Sequence, residues 1–165
     1  VQINPYLVLA VVGGLVGGLA GADQVRTGET TNEPTMTVVA IRGFISAPAA
    51  PAVGTGFVVG GELFEADGST KAGYHDSHCG VLSVSAAVPP EVIAHCTSTF
   101  RLKDGELHFS SLRTYKTLAE PFNDTTVAIT GGTGTYSTVR GQAKTTQWHA
   151  QRQQIGVAYA IERDS

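Results

Sequence analysis

From Met36 onward, apolar and β-branched residues come in short runs broken by glycine, proline and polar turn residues. Runs of this kind, bounded by turn formers, read as β-strands. The first spans Met36–Phe44 and the second Gly54–Phe64, with Gly60-Gly61 marking a bulge. The third covers Lys71–Ser85 and the fourth Val92–Lys103, entered after Pro89-Pro90. Asp104-Gly105, between Leu102 and Leu107, is a hairpin signal that pairs the fourth strand antiparallel to a fifth, Glu106–Tyr115. Thr125–Thr130 is the sixth, Tyr136–Arg140 a short helical turn, and Gly141–His149 the seventh. The eighth, Arg152–Arg163, alternates cleanly through Ile155, Val157, Tyr159 and Ile161. This spacing predicts an all-β fold, an eight-stranded antiparallel β-barrel. Closure removes exposed edges, and a barrel of about eight strands encloses packed side chains or one small ligand.

The pattern before residue 36 is different. Residues 5–22 read PYLVLAVVGGLVGGLAGA and carry no charge. A secretory apolar region with a small-residue cleavage site at Ala20-Gly21-Ala22 is one reading, though no positive stretch precedes it. A membrane helix is a second, helped by the Gly13, Gly17 and Gly21 stripe and opposed by the low helix propensity of glycine. The third, which we adopt, is a lid that packs its apolar side chains over an opening in the protein. The organisation expected is therefore an apolar lid over residues 1–22, a polar linker over 23–35, and a barrel domain over 36–165. The loop Ser46–Val53, with Pro48 and Pro51, is a semi-rigid apolar connection of the kind that covers a pocket mouth.

Composition narrows the function. The chain has 165 residues, 15% charged, with a formal net charge of −3 and its eleven Lys and Arg scattered, which speaks against a nucleic-acid partner. Twenty glycines and seven prolines suit many turns. The two cysteines, Cys79 and Cys96, lie in neighbouring strands, where they either form a disulfide or stay as reduced, buried apolar residues. His75, His78 and Cys79 cluster, but His75 and His78 would point to opposite faces of a strand, so no metal site is expected. There is no GxSxG, HExxH, Walker loop or CxxC. Gly131-Gly132-Thr133-Gly134 lacks the GK[ST] ending of a phosphate loop and reads as a tight turn. The side chains that could form a pocket are large and lie within strands. They are Phe100, Tyr74, Tyr115 and the one tryptophan, Trp148, which shares a strand face with Lys144 and Thr146.

The run Ala128-Ile129-Thr130-Gly131-Gly132-Thr133-Gly134-Thr135-Tyr136, followed by Val139-Arg140-Gly141, resembles the glycine-rich stretch of the dirigent and allene oxide cyclase barrels. Cys79, Cys96 and the turn from Arg101 to Leu107 resemble bacterial members of that superfamily, and the likeness covers residues 36–163. One bacterial branch, the spirotetramate and spirotetronate cyclases, is similar in size and plan. That resemblance implies a cofactor-independent cyclase, a Diels-Alderase, acting on a small apolar polyene in polyketide antibiotic biosynthesis. It implies substrate inside the barrel and a lid over the mouth. Under it, Trp148 and Thr146 are the expected catalytic residues, with Thr146 bonding the polar head of the substrate. Phe100, Tyr74 and Tyr115 then line the pocket, and Tyr6, Leu7 and Leu9 belong to the lid. A (4+2) ring closure needs the diene and dienophile held face to face and water excluded, and neither requires a cofactor. The expected location is cytoplasmic, with export the alternative if the first 22 residues are a signal peptide; a membrane partner is not expected, and a homo-oligomer is allowed. The rival readings are a secreted dirigent-like or binding barrel without turnover, an allene-oxide-type cyclase, and an inert barrel with an oligomerisation arm.

Overall fold

Eight strands run in sequence order around the molecule, each antiparallel to the next, and the last closes on the first. The computed structural model describes residues 35–149 and 154–164, which fall within the compact unit Thr31–Ser165. The strands are β1 (Met36–Ser46), β2 (Gly56–Glu65), β3 (Lys71–Val84), β4 (Val92–Leu102), β5 (Gly105–Tyr115), β6 (Thr125–Gly132), β7 (Gly141–His149) and β8 (Ile155–Arg163). Closure comes from β1 pairing with β8, from Met36 opposite Ile161 to Ile41 opposite Gly156. The barrel expected from the strand spacing is thus the fold, with every described strand paired on both sides. The expected lid and most of the linker lie outside the described residues, and with them Tyr6, Leu7 and Leu9. Among the described residues no helix is long and apolar enough to cross a membrane.

Three local expectations need correction. The extra residue of the β1–β2 ladder is Gly43 on β1, not a member of the Gly60-Gly61 pair, because Arg42 opposes Gly61 and Phe44 opposes Gly60. Gly61 is needed for a related reason: a Cβ there would come within 2.0 Å of the Ile41 carbonyl oxygen, so only a glycine lets β1 approach at the bulge. The β4–β5 hairpin turns through Lys103 and Asp104, with Gly105 already paired to Leu102. The helical turn after the glycine run is a 3₁₀ helix at Gly134–Tyr136, earlier than expected.

That glycine run is a backbone clamp. Thr133 donates its N–H to the Glu106 carbonyl and Thr135 to that of Asp104. Gly134 takes φ 58°, and a Cβ on it would meet the Asp104 oxygen at 2.2 Å. The turn therefore locks onto the β4–β5 hairpin and offers no cradle for a phosphate.

Alternation sorts the side chains into two faces. Inward from β3 come His75, Ser77, Cys79 and Val81; from β4, Val92, Ala94, Cys96, Ser98 and Phe100; from β5, Leu107, Phe109, Ser111, Arg113 and Tyr115. Cys79 opposes Cys96 in the β3–β4 ladder, and the two form a fully buried disulfide. Near the glycine clamp the interior is packed solid by Leu63, Phe100, Leu107, Phe109, Ile161 and Val139. Phe100 packs tilted against Phe109 at 4.7 Å between ring centroids and meets Tyr159 edge-on at 4.8 Å.

Candidate functional site

Between this packed plug and the other end of the barrel lies a layer of a different character. Arg113 projects inward from β5 and is 2% exposed. Its Nε donates to the Ser111 hydroxyl at 2.9 Å, and its Nη2 to the Ser98 hydroxyl at 2.6 Å. Longer contacts of 3.4 Å reach Ser77 Oγ and the Tyr159 hydroxyl. The Phe122 ring lies 4.4 Å below the guanidinium. Ser77 and Ser98 also bond each other at 2.7 Å. Among the described residues no carboxylate pairs with Arg113. Burial works against its charge, but Tyr159 and Tyr115 outweigh that and raise the pKa, so the group stays cationic.

The strands explain this placement. On β5 the apolar and aromatic residues Leu107, Phe109 and Tyr115 fall on one parity and fix it as the inner face, and Arg113 shares that parity. Arg113 opposes Ala94, whose small side chain leaves room for the guanidinium to reach across to Ser98.

A cavity opens beside Arg113, lined by Ala40, Val59, His75, Tyr115, Val157 and Tyr159. The partly exposed Arg42, Pro121 and Ile155 form its mouth, and the buried Phe122 completes the lining. The mouth is held in shape by Arg42, whose guanidinium donates to the Leu118 carbonyl at 2.7 Å and to that of Glu120 at 3.0 Å. Burial lowers the Arg42 pKa. The cavity has a volume of only about 30 Å³. That is room for about two waters. The cavity thus matches a pair of oxygens rather than a whole substrate.

Two further groups face this space. His75 bonds the Ile41 carbonyl through Nε2 at 2.9 Å, and burial lowers its pKa. Tyr159 is wholly buried, and burial raises its pKa, which keeps it a neutral phenol and a proton donor.

The residues singled out from sequence divide between the two faces. Tyr115 lines the cavity, and Phe100 lies inside the barrel but in the plug. Tyr74 stands on the outer face, 47% exposed, with the Lys71 ammonium 4.0 Å from its ring centre. Thr146 and Trp148 are also on the outer face, contrary to their expected place at the substrate. Ala143 and Thr145 hold the inward positions of β7, which sends Lys144, Thr146 and Trp148 outward. Trp148 covers Gly68 and Gly156, where an added Cβ would lie 2.3 Å and 3.0 Å from its ring. The loop Ser46–Val53 borders a separate surface groove with Pro89, Pro90 and Leu118 and does not line the interior cavity. Arg113, His75 and Tyr159 were not picked out from sequence. Among the described residues there is no cluster of His, Cys, Asp and Glu that could hold a metal.

No protein-family model matches the chain, and no curated protein matches it. Among solved structures the barrel is similar to one described as a pyocyanin demethylase, with a TM-score of 0.56 and 22% identity, over 74% of this chain and 97% of that one. At that identity the likeness is one of fold.

Proposed function

We propose that this barrel is an enzyme that takes an organic anion into its interior, sets the anionic oxygens on Arg113, and acts on the remainder of the molecule without a cofactor. The observation that carries this reading is a buried guanidinium that, among the described residues, is met by neutral hydroxyls and the Phe122 ring and by no carboxylate. Taking a charge out of water is costly, and an anion placed against it in a low-dielectric interior recovers much of that cost. The similar barrel is a pyocyanin demethylase by name, so the plan is one on which an enzyme can be built.

Within this reading we take the reaction to be an intramolecular (4+2) cycloaddition that forms a spirotetramate or spirotetronate. The head of such a substrate is a vinylogous acid and carries an enolate charge near neutral pH, which is the kind of group Arg113 accepts. Arg113 and Tyr159 then supply the polar contact first assigned to Thr146, and Phe122 and Tyr115 supply the aromatic wall first assigned to Trp148 and Tyr74. The test is a linear tetramate or tetronate polyene, followed by loss of diene absorbance at constant mass. Conversion by the wild-type protein, lost in Arg113→Met and kept in Trp148→Ala, supports the reading. Equal turnover by Arg113→Met overturns it.

The Cys79–Cys96 disulfide favours a second reading, an exported dirigent-like or binding barrel, because such bonds persist in oxidising compartments. Mass spectrometry of the protein from its native host separates the two: cleavage after Ala22 supports export.

A further inference from the structure

We propose that His75 is the proton-accepting residue of the interior site, and that the barrel catalyses a proton shift in an enolisable carbonyl compound whose anionic group lies on Arg113. The inference rests on the anion-binding reading of Arg113 but not on the cycloaddition.

The argument begins with the tautomer. A carbonyl oxygen can only accept, so the imidazole nitrogen bonded to Ile41 must carry the hydrogen: Nε2–H donates to that oxygen at 2.9 Å. Nδ1 of the neutral ring then holds a lone pair. Among the described residues Nδ1 has no hydrogen-bond partner, yet no sealed side-chain nitrogen or oxygen is left without one. Nδ1 is therefore in contact with open space, and the space that His75 lines is the cavity beside Arg113. The ring is held in place by the carbonyl at one nitrogen and by the edge of Phe100, 6.2 Å between centroids. A neutral imidazole held at one nitrogen, with the other free of hydrogen bonds among the described residues, on a residue that lines a small cavity, is an arrangement suited to a general base.

The charged and titratable groups around it agree with a neutral base. Burial lowers its pKa first, the Ile41 carbonyl and Asp76 act to raise it, and Arg113 from β5 and Arg42 from β1 lower it further. Asp76 is engaged on the outer face by Arg101 at 2.7 Å. Tyr159 from β8 faces the same cavity as a neutral phenol.

The step balances without a further reagent. His75 Nδ1 takes a proton from the carbon next to the carbonyl. The C–H electron pair becomes the C=C bond of an enolate, and the carbonyl π pair moves to oxygen, where Arg113 and the Tyr159 hydroxyl stabilise it. The imidazolium then returns its proton to that oxygen or to another carbon. The product is an isomer, and the enzyme ends as it began.

Phenylpyruvate is a suitable probe, since it carries a carboxylate, an enolisable methylene and an aromatic body. Calorimetry reads its binding, and NMR in D2O reads exchange at the methylene. Wild-type protein is expected to bind it and to speed exchange by about a hundredfold or more over buffer, the usual scale of general-base catalysis. His75→Gln keeps a side-chain amide to donate to Ile41 but has no base; it should bind the probe and lose the exchange. Arg113→Met should lose the binding. The unmutated protein gives a further readout, because exchange should fall with decreasing pH only below the ordinary histidine range, as burial of His75 requires. Binding that depends on Arg113, without exchange or with exchange that survives in His75→Gln, overturns the proposal and leaves the anion site standing. Absence of binding to wild type overturns both.

Discussion

The barrel interior holds two adjacent layers built from the same strands and opposite in kind. The plug of Leu63, Phe100, Leu107, Phe109 and Ile161 is apolar, nearly free of solvent contact and packed ring against ring. One or two inward positions along β4 and β5 come Ser98, Ser111 and Arg113, which with His75 and Ser77 of β3 and the hydroxyl of Tyr159 form a polar layer beside a cavity. Filling the second layer with Leu and Phe would give the barrel a continuous core at lower desolvation cost. The chain instead carries a buried cation and four hydroxyls there. The difference teaches that the two layers answer to different demands: the plug and the glycine clamp below it hold the barrel shut, and the polar layer holds a site.

The largest expected effect is in the plug. Phe100→Ala removes a fully buried ring that touches Phe109, Tyr159 and His75, with tight neighbours on every side. Loss of about 3–5 kcal/mol of stability is expected, from lost transfer energy and the cavity left behind, and urea unfolding measures it. A loss below about 1 kcal/mol would mean that the plug is loosely packed and that the two layers are alike.

How much of this contrast was legible in the sequence differs from strand to strand. The barrel was legible because apolar and β-branched runs of strand length recur along the chain and turn formers separate them. The inner face was legible wherever one parity is plainly apolar. On β5, Leu107, Phe109 and Tyr115 outweigh Leu112 on the other parity and lean Arg113 inside, whereas on β3 Cys79 and Val81 stand against Tyr74 and Leu82 and leave the side of His75 and Ser77 undecided. That signal was available for Arg113 and not for His75. On β7 the parity misleads: Ala143 and Thr145 are small, and the one large residue, Trp148, lies on the other face, where it covers two glycines on neighbouring segments. Size drew attention to Trp148, but Gly156 across the β7–β8 ladder and the sequence-distant Gly68 decide where it packs. Nor could the sequence show that Ser77 and Ser98 meet across a ladder, since that depends on a register that a one-residue slip would reverse.

A smaller effect is expected where the plug rule would predict a large one. Arg113→Met keeps most of the side-chain volume and removes the buried charge, and Ser77 and Ser98 keep their bond to each other. Stability is expected to stay within about 1 kcal/mol of wild type, because desolvation of the cation is relieved as its hydrogen bonds are lost. A loss as large as that of Phe100→Ala would show Arg113 to be a structural hub and would erase the distinction between the layers.

The smallest effect distinguishes the layers by pH. The folded-state pKa of His75 lies below the ordinary histidine value, with burial as the main cause. Below about pH 6.5 the unfolded chain therefore gains a proton at this residue that the folded chain refuses. The contribution of His75 to stability is fully present above that pH and is lost as pH falls toward the folded-state pKa. Its slope is limited to one proton, about 1.4 kcal/mol per pH unit at most. In His75→Gln this part of the slope should vanish, while the contributions of the remaining histidines and of the carboxylates stay as they are. Urea midpoints of the two proteins, taken between pH 5 and 7.5, should converge as the pH drops. If the difference between them is constant across that range, His75 titrates as freely in the barrel as in the unfolded chain, and the layer around it is open to water rather than closed around a ligand site.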